Sequence, residues 1–322
     1  MALQSRRQVM RAAMHGAAGL CLAPLACRVA PVYAQSAASA FDAVALSERL
    51  YLLTSAGQAN VVAQTQPDGV VLVDGAAANV AEALLDTVAG LPASGSVHSL
   101  FNTHWHPQQT GLNERLGAEG TTIIAHENTR LWLTTDITYP WDDQSFAPLS
   151  KAAQPNLSFY DTGELNSQVR YGYLRHAAHT DGDMYVQFPE ANVLVVGDTV
   201  SGAGWPFVDW WTGGWIGGIV GNLELLLDLT DAQTRIVPAR GRVLSRADLQ
   251  SQYEMYNIVY ERLSRMLNSG RGPDEAVAAK PTEEFDAIMG PPDEFVRRAF
   301  ESLWAYLTPD AALPRRQWGV FA

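Results

Sequence analysis

NTHWHPQQTG, residues 102–111, follows directly on the apolar run VHSLF at 97–101. A short β-branched and aromatic run that opens into a polar segment ending in Gly reads as a strand emptying into a loop. That places His104 and His106 on the loop at the strand's end. With one residue between them, two imidazoles can turn to a common ion. Alone, the pair is a weak signal, since two unconnected surface or hydrogen-bonded histidines would look the same. Its weight comes from the segments around it.

Three further strand ends carry a candidate group. VVLVDG ends a strand at Asp74, AAHTDGDMYVQFP puts His179 in a turn before a strand, and NVLVVGDT ends a strand at Asp198. Three histidines and one aspartate gathered at strand ends suit a zinc site that keeps one position open for water. The remaining histidines lack this pattern. His126, at the strand-to-helix junction IIAHENT, reads as a structural cap, and His15, His98 and His176 have nothing that marks them as ligands.

The surroundings set the fold class. From 50 to 74, the runs LYLLTS, NVVAQT and VVLVD alternate with turn signals such as PDG at 67–69, which predicts an antiparallel meander. Helix-period stretches at 78–90, 112–117 and 126–134 then interleave with VHSLF and TTIIA. A second strand-rich half includes LSFY, QVRYGYLR, MYVQFP and NVLVVGD and ends near RIVP at 235. The expected class is an α/β sandwich built on a plan that approximately repeats. Beyond Ser245, Leu249, Tyr253, Tyr256, Tyr260, Leu263 and Leu267 share one helical face, with Ser245 and Asp248 as a capping pair and Gly270 as a stop. DEFVRRAFESLWAYL at 293–307 is a second helix. Residues 246–308 are therefore expected to be a helical extension packed on the sandwich, because each helix has one apolar face that needs a surface to cover.

Over about 41–245 these motifs resemble the metallo-β-lactamase-fold hydrolase superfamily. The resemblance rests on order: a strand-end Asp, HxHxDH, a His before a Gly-Asp turn, a strand-end Asp, and a His in a VPGHG-like turn. Asp74, His104, His106, His179 and Asp198 match in sequence. The resemblance implies an αββα sandwich with metal at one edge. It also implies a zinc-bound hydroxide acting on an ester, lactone, thioester or β-lactam-like bond. His104, His106 and His179 would hold the metal, and Asp198 would be a further ligand or orient the water. Asp74 would stand behind a ligand and orient it, unless it is only a turn-forming Asp before Gly.

Three positions depart from the family pattern. Gln108 and Gln109 stand where HxHxDH has Asp and His, and VPARG supplies Arg240 where VPGHG has its His. The first metal site is complete by this carry-over, whereas the second has lost its own ligands, so one zinc is expected rather than two. A dication with one carboxylate and two neutral imidazoles sums to +1, as do Arg240, Gln108 and Gln109 together. A guanidinium in that place offers a rigid fork of donors to a carboxylate or a developing oxyanion. Arg240 could instead pair with Asp198 or point to solvent, and Arg242 competes with it for the inward position. WPFVDWWTGGWIGG at 205–218 follows Asp198 and holds Trp205, Trp210, Trp211 and Trp215. Aromatic walls with Gly hinges suit an apolar or ring-bearing small-molecule substrate, although each Trp could equally plug the space beneath the C-terminal helices.

Composition narrows the partners. Lys+Arg 22 against Asp+Glu 34 gives a net charge of −12, which repels a phosphate backbone, so nucleic acid is not expected. The sequence has no apolar run long enough to span a bilayer, and nothing in it fixes an oligomeric state. Arg6 and Arg7 precede a small-residue apolar stretch, and VYA at 32–34 offers a cleavage site, a pattern that resembles a twin-arginine export signal over residues 1–34. The mature chain would then be periplasmic or secreted. Cleavage would remove four basic residues and no acid, deepening the charge from −12 to −16, together with Cys21 and Cys27, the two cysteines of the sequence. The metal would then depend on His, Asp or Glu. The competing reading is a binding protein that keeps the fold and one metal without turnover, having lost the HxHxDH carboxylate that moves a proton.

Overall fold

The computed structural model describes residues 40–307. The expected export segment lies outside these residues. Seven strands form one sheet in the order β1 (Asp42–Ala45), β2 (Leu50–Thr54), β3 (Val61–Gln66), β4 (Gly69–Val73), β5 (Val97–Phe101), β6 (Thr122–His126) and β9 (Leu157–Phe159). Its first half is an antiparallel meander, and from β4 onward neighbours run parallel. A second sheet orders β10 (Thr162–Leu165), β11 (Val169–Tyr173), β12 (Met184–Phe188), β13 (Val193–Val195) and β14 (Arg235–Val237). A short hairpin of β7 (Ile137–Thr138) and β8 (Ser145–Phe146) stands apart.

Side-chain alternation decides how these layers stack. On β3 and β4, Val62, Val71 and Val73 point one way and Val61, Ala63, Val70 and Leu72 the other, as a period of two requires. The first set meets Val169, Met184, Val186, Phe188 and Val195 of the second sheet to form the inner core. The opposite set is covered by Leu84 and Val88 of one helix (Ala81–Ala89) and Leu116 of another (Asn113–Ala118). On the second sheet's outer face, Leu194 and Ile236 pack against the helices Ile216–Asp228, Arg246–Asn268 and Asp293–Leu307. The result is the αββα sandwich with C-terminal helices. Among the described residues no helix is long and apolar enough to cross a membrane.

One element departs from the expected plan. Two glycines of WTGGWIGG, Gly217 and Gly218, lie with Gly221 inside the helix Ile216–Asp228 and not in a hinge loop, whereas Gly213 (φ 90) and Gly214 precede the helix. Glycine weakens an isolated helix by about 1 kcal/mol relative to alanine, which hides this helix from a propensity reading. Close packing accounts for Gly218, where a Cβ would fall on the Ala177 carbonyl. The helix thus lies directly against the loop that presents His179.

Candidate metal centre

The parallel β4 and β5 end side by side, and their loops build the floor of the site. Asp74 takes a left-handed conformation (φ 65) and donates its N–H to Phe101 O at 2.8 Å, carrying the pairing one step past the strands. Its carboxylate then accepts the Thr103 N–H at 2.8 Å and the Thr103 hydroxyl at 2.8 Å. Asn102 and Asn113 exchange reciprocal amide hydrogen bonds, fastening the loop to the helix behind it. His104 and His106 leave this anchored loop buried. On the facing sheet, the Asp183 carboxylate accepts the N–H groups of His179 and Thr180 and the Thr180 hydroxyl, folding the turn that aims His179 inward.

His104, His106 and His179 converge, with one ring nitrogen of each lying within 4.8 Å of the others. The acceptors behind the rings assign the tautomers. With Asp74 ionised, as a bound dication would favour, Thr103 Oγ gives its proton to Asp74 and accepts His104 Nδ1–H at 3.1 Å. The Phe207 carbonyl accepts His179 Nδ1–H at 2.7 Å, and Asp209 Oδ2 accepts His106 Nε2–H at 3.0 Å. The inward nitrogens are therefore His104 Nε2, His106 Nδ1 and His179 Nε2, each with a free lone pair. His104 Nε2 is buried without a hydrogen-bond partner, while His106 Nδ1 and His179 Nε2 face one another at 2.8 Å. Facing lone pairs repel unless they share a cation or a proton. A divalent ion among the three nitrogens satisfies all of them, so the donor set fits a metal. Burial, reinforced by the neighbouring imidazoles, holds His104 well below the ordinary histidine range and lowers His179, keeping both neutral as ligation requires.

Asp198 stands at the edge of this triangle, its Oδ2 3.6 Å from His104 Nε2 and 3.9 Å from His179 Nε2. It sits in a tight turn in which Gly197 adopts φ 58 and a Cβ would press on Thr103. The Ala239 N–H donates to Gly197 O at 2.8 Å, tying that turn to the segment carrying Arg240. Arg240 Nε accordingly lies 3.4 Å from Asp198 Oδ1, with the side chain 41% exposed. Gln109 Nε2 donates to Asp198 Oδ2 at 3.3 Å, and Gln109 Oε1 is buried without a partner. Gln108 is half-buried beside them in sequence. Arg242 faces away, its guanidinium paired with Asp248 at the start of the long helix.

The sequence profile of the metallo-beta-lactamase superfamily matches residues 54–240. The chain belongs to this superfamily. Among solved structures, the DIM-1 metallo-beta-lactamase is similar at 14% identity and a TM-score of 0.53, over 68% of this chain and 97% of that one. A metallo-beta-lactamase from Pontibacter korlensis is similar at 16% identity and 0.52, over 67% and 99%. The sec-alkylsulfatase Pisa1 from Pseudomonas sp. is similar at 15% identity and 0.64, over 86% of this chain and 52% of its own. The chain thus spans about half of the sulfatase, and at these identities the likeness is one of fold. None of the curated proteins matches the chain.

The superfamily match ends at Arg240, so the helices at 246–268 and 293–307 lie beyond it. These helices divide the tryptophans of the 205–218 run, which were candidates either for the pocket wall or for a plug beneath the C-terminal helices. Trp205 stacks on Phe295 at 4.5 Å and donates to Gly290 O, and Trp215 stacks on Tyr306 at 3.8 Å. Both turn to the C-terminal helices, whose apolar faces need cover, and neither lines the site. Trp210 and Trp211 instead join an aromatic cluster with Trp105, Tyr139, Trp141, Phe146 and Phe207. Phe207 brings that cluster to the histidines, its ring centroid 6.0 Å from His106 and 6.1 Å from His179. His126 caps its helix by accepting the Asn128 N–H and stacks flat on Tyr173.

Asp209 and Tyr139 are residues that the motif reading missed. Fully buried, Asp209 accepts from His106, from the Tyr139 hydroxyl at 3.0 Å, and from the Thr212 hydroxyl at 2.6 Å. Burial alone would raise its pKa, yet the hydrogen bonds from His106 and Thr212 outweigh burial and hold it below the usual carboxylate value. A signal was present, since Asp209 is the one acid between Asp198 and Glu224 and sits among aromatics, where a carboxylate needs donors. Asp74 meets its imidazole through the Thr103 hydroxyl and not directly.

Asp74→Asn is expected to weaken zinc binding by about 10 to 100-fold, the scale for losing a group that orients a ligand. Chelator competition measures this, and equal affinity would leave Asp74 a turn residue. A pH effect accompanies it. Burial pushes the Asp74 carboxyl from 3.8 up to about 8. Between those values the folded metal-free protein holds a proton that the unfolded chain has lost, so Asp74 makes stability fall as pH rises. Thermal unfolding of the metal-free protein is expected to show this fall as pH rises from above 3.8 to about 8, and Asp74→Asn to remove it.

Proposed function

We propose that the protein is an exported, one-zinc hydrolase acting on an activated ester, lactone or thioester of a small molecule. The observation that carries this reading is the convergence of His104 Nε2, His106 Nδ1 and His179 Nε2, with the outward nitrogen of each ring committed to an acceptor. A divalent ion held there would supply Lewis acidity and lower the pKa of water to about 7. Asp198 lies within reach of that position and can orient a water or take its proton. Arg240 Nε faces Asp198 Oδ1 and Gln109 donates to Oδ2, which together fix the carboxylate in place.

Gln108, Gln109 and Arg240 give a second ion only neutral amides and a permanent cation, which favours single occupancy. With 41% of its side chain exposed, Arg240 keeps donors for an anion developing on the substrate. A site with one ion and no second carboxylate suits bonds with good leaving groups better than unstrained amides. The Arg6–Arg7 segment motivates assignment to the periplasm or the exterior.

The test is a panel of a p-nitrophenyl ester, a lactone, a thioester, a chromogenic cephalosporin and a sec-alkyl sulfate, each offered to the zinc-loaded protein. Ester, lactone or thioester turnover that a chelator abolishes and zinc restores is expected. Absence of turnover across the panel contradicts the reading and leaves a binding protein. Turnover of the cephalosporin or the sulfate alone moves the substrate class toward one of the structural neighbours.

A further inference from the structure

Beyond the superfamily match, the helix Asp293–Leu307 places a charged pair against the aromatic cluster beside the three histidines. Arg298 has a side chain only 9% exposed, its guanidinium carbon lies 3.8 Å from the ring centroid of Trp141, and its Nη1 donates to Glu301 Oε2 at 3.2 Å. The same Glu301 oxygen accepts Trp210 Nε1–H at 3.0 Å. One carboxylate oxygen therefore joins the cation lying on one tryptophan to the indole N–H of the other.

The two tryptophans lie 5.4 Å apart, and Trp141 is one layer from the site. Trp141 stacks on Tyr139 at 4.4 Å and meets Phe207 at 6.1 Å. Tyr139 donates to Asp209, which holds His106, and the Phe207 carbonyl holds His179. Arg298 Nε remains buried without a hydrogen-bond partner. Desolvating an arginine in this way is unfavourable unless its charge is compensated, and here the compensation comes from Glu301 and the face of Trp141. The same helix packs onto the second sheet's outer layer through its apolar residues Phe295, Val296, Ala299, Phe300 and Leu303.

We infer that Arg298 and Glu301 are positioning residues for substrate specificity, clamping Trp141 and Trp210 as the wall beside the metal centre and selecting substrates with an aromatic or bulky apolar group. This rests on the proposed hydrolase reading for its kinetic test but not for its spectroscopic one. The wall belongs to the substrate side, so loss of the clamp acts on KM more than on kcat and leaves zinc content at one per chain.

The experiment compares the parent, Arg298→Met, Arg298→Lys and Trp141→Phe, all zinc-loaded, on p-nitrophenyl acetate and p-nitrophenyl phenylacetate. For Arg298→Met, KM for the phenylacetate is expected to rise about tenfold, the scale of a desolvated cation–π contact, so that the parent's preference for the aromatic ester collapses. Arg298→Lys, which keeps the cation, should restore part of it. Acrylamide quenching of tryptophan fluorescence should increase in Arg298→Met, with Trp141→Phe identifying the share of the signal that belongs to Trp141. An unchanged preference together with unchanged quenching overturns the clamp. If the parent turns over neither ester, the hydrolase reading fails for these substrates, and quenching alone decides the clamp. A lower melting temperature with both readouts at parent values reduces the pair to a stabilising contact and also overturns it.

Discussion

On the proposed hydrolase reading, His179→Ala is expected to remove metal binding and turnover together, with activity falling by more than about 10³-fold, beyond the roughly 10 to 100-fold cost of losing a residue that only orients a ligand. The size follows from the coordination the chain can offer. Three imidazole nitrogens meet in the site, and deleting one leaves His104 and His106 with Asp198 at its edge. The fold should tolerate the change, because the turn is held through the backbone. The N–H of residue 179 donates to Asp183 at 2.8 Å, and its carbonyl accepts the Asp209 N–H at 3.0 Å. Both bonds survive in alanine. The checks are zinc content and ester turnover in parallel, with His126→Ala as a buried-histidine control that should keep its zinc. A His179→Ala protein that retains both metal and activity would place the reaction elsewhere.

Asp209→Ala should have the largest effect on stability, about 3 to 5 kcal/mol, as for other losses that strip the partner from buried charged or strongly polar groups. One carboxylate oxygen accepts from His106, Tyr139 and Thr212, while the other receives the Thr212 N–H at 3.2 Å. Thr212 in turn accepts the Trp105 indole N–H at 3.0 Å. Alanine leaves several buried donors without an acceptor and frees the His106 ring to turn. Zinc affinity should therefore fall by about 10 to 100-fold alongside stability. Asp209→Asn, which keeps one carbonyl acceptor and the shape, should recover part of both. Urea unfolding and chelator competition measure the two effects, and parent-like values in Asp209→Ala would show that His106 needs no such support.

These two residues mark how far the sequence can be read. His179 was legible because metal chemistry constrains residue type and order along the chain: a His in a turn before a strand, at the expected place after His104 and His106. The sandwich was legible for a similar reason, since β3 and β4 alternate their side chains between two apolar layers. Asp209 was not recognised, because its role depends on Tyr139 and His106, which lie 70 and 103 residues away. The helix Ile216–Asp228 was masked by glycines whose purpose is close contact with the Ala177 carbonyl, a tertiary demand that overrides propensity. Trp205 and Trp215 could not be separated from Trp210 and Trp211 by composition, since the sorting depends on which face the C-terminal helices cover. Arg240 was found as a substitution, but its place beside Asp198 and the outward pairing of Arg242 needed the structure.

The most direct test of the central claim is elemental analysis of the dialysed, zinc-reconstituted protein, normalised to chain concentration. The three-histidine centre, with Gln108, Gln109 and Arg240 where further ligands would stand, predicts one tightly held zinc per chain. Two tightly held ions would show that a second site exists despite these residues. A content near zero would contradict the metal centre itself.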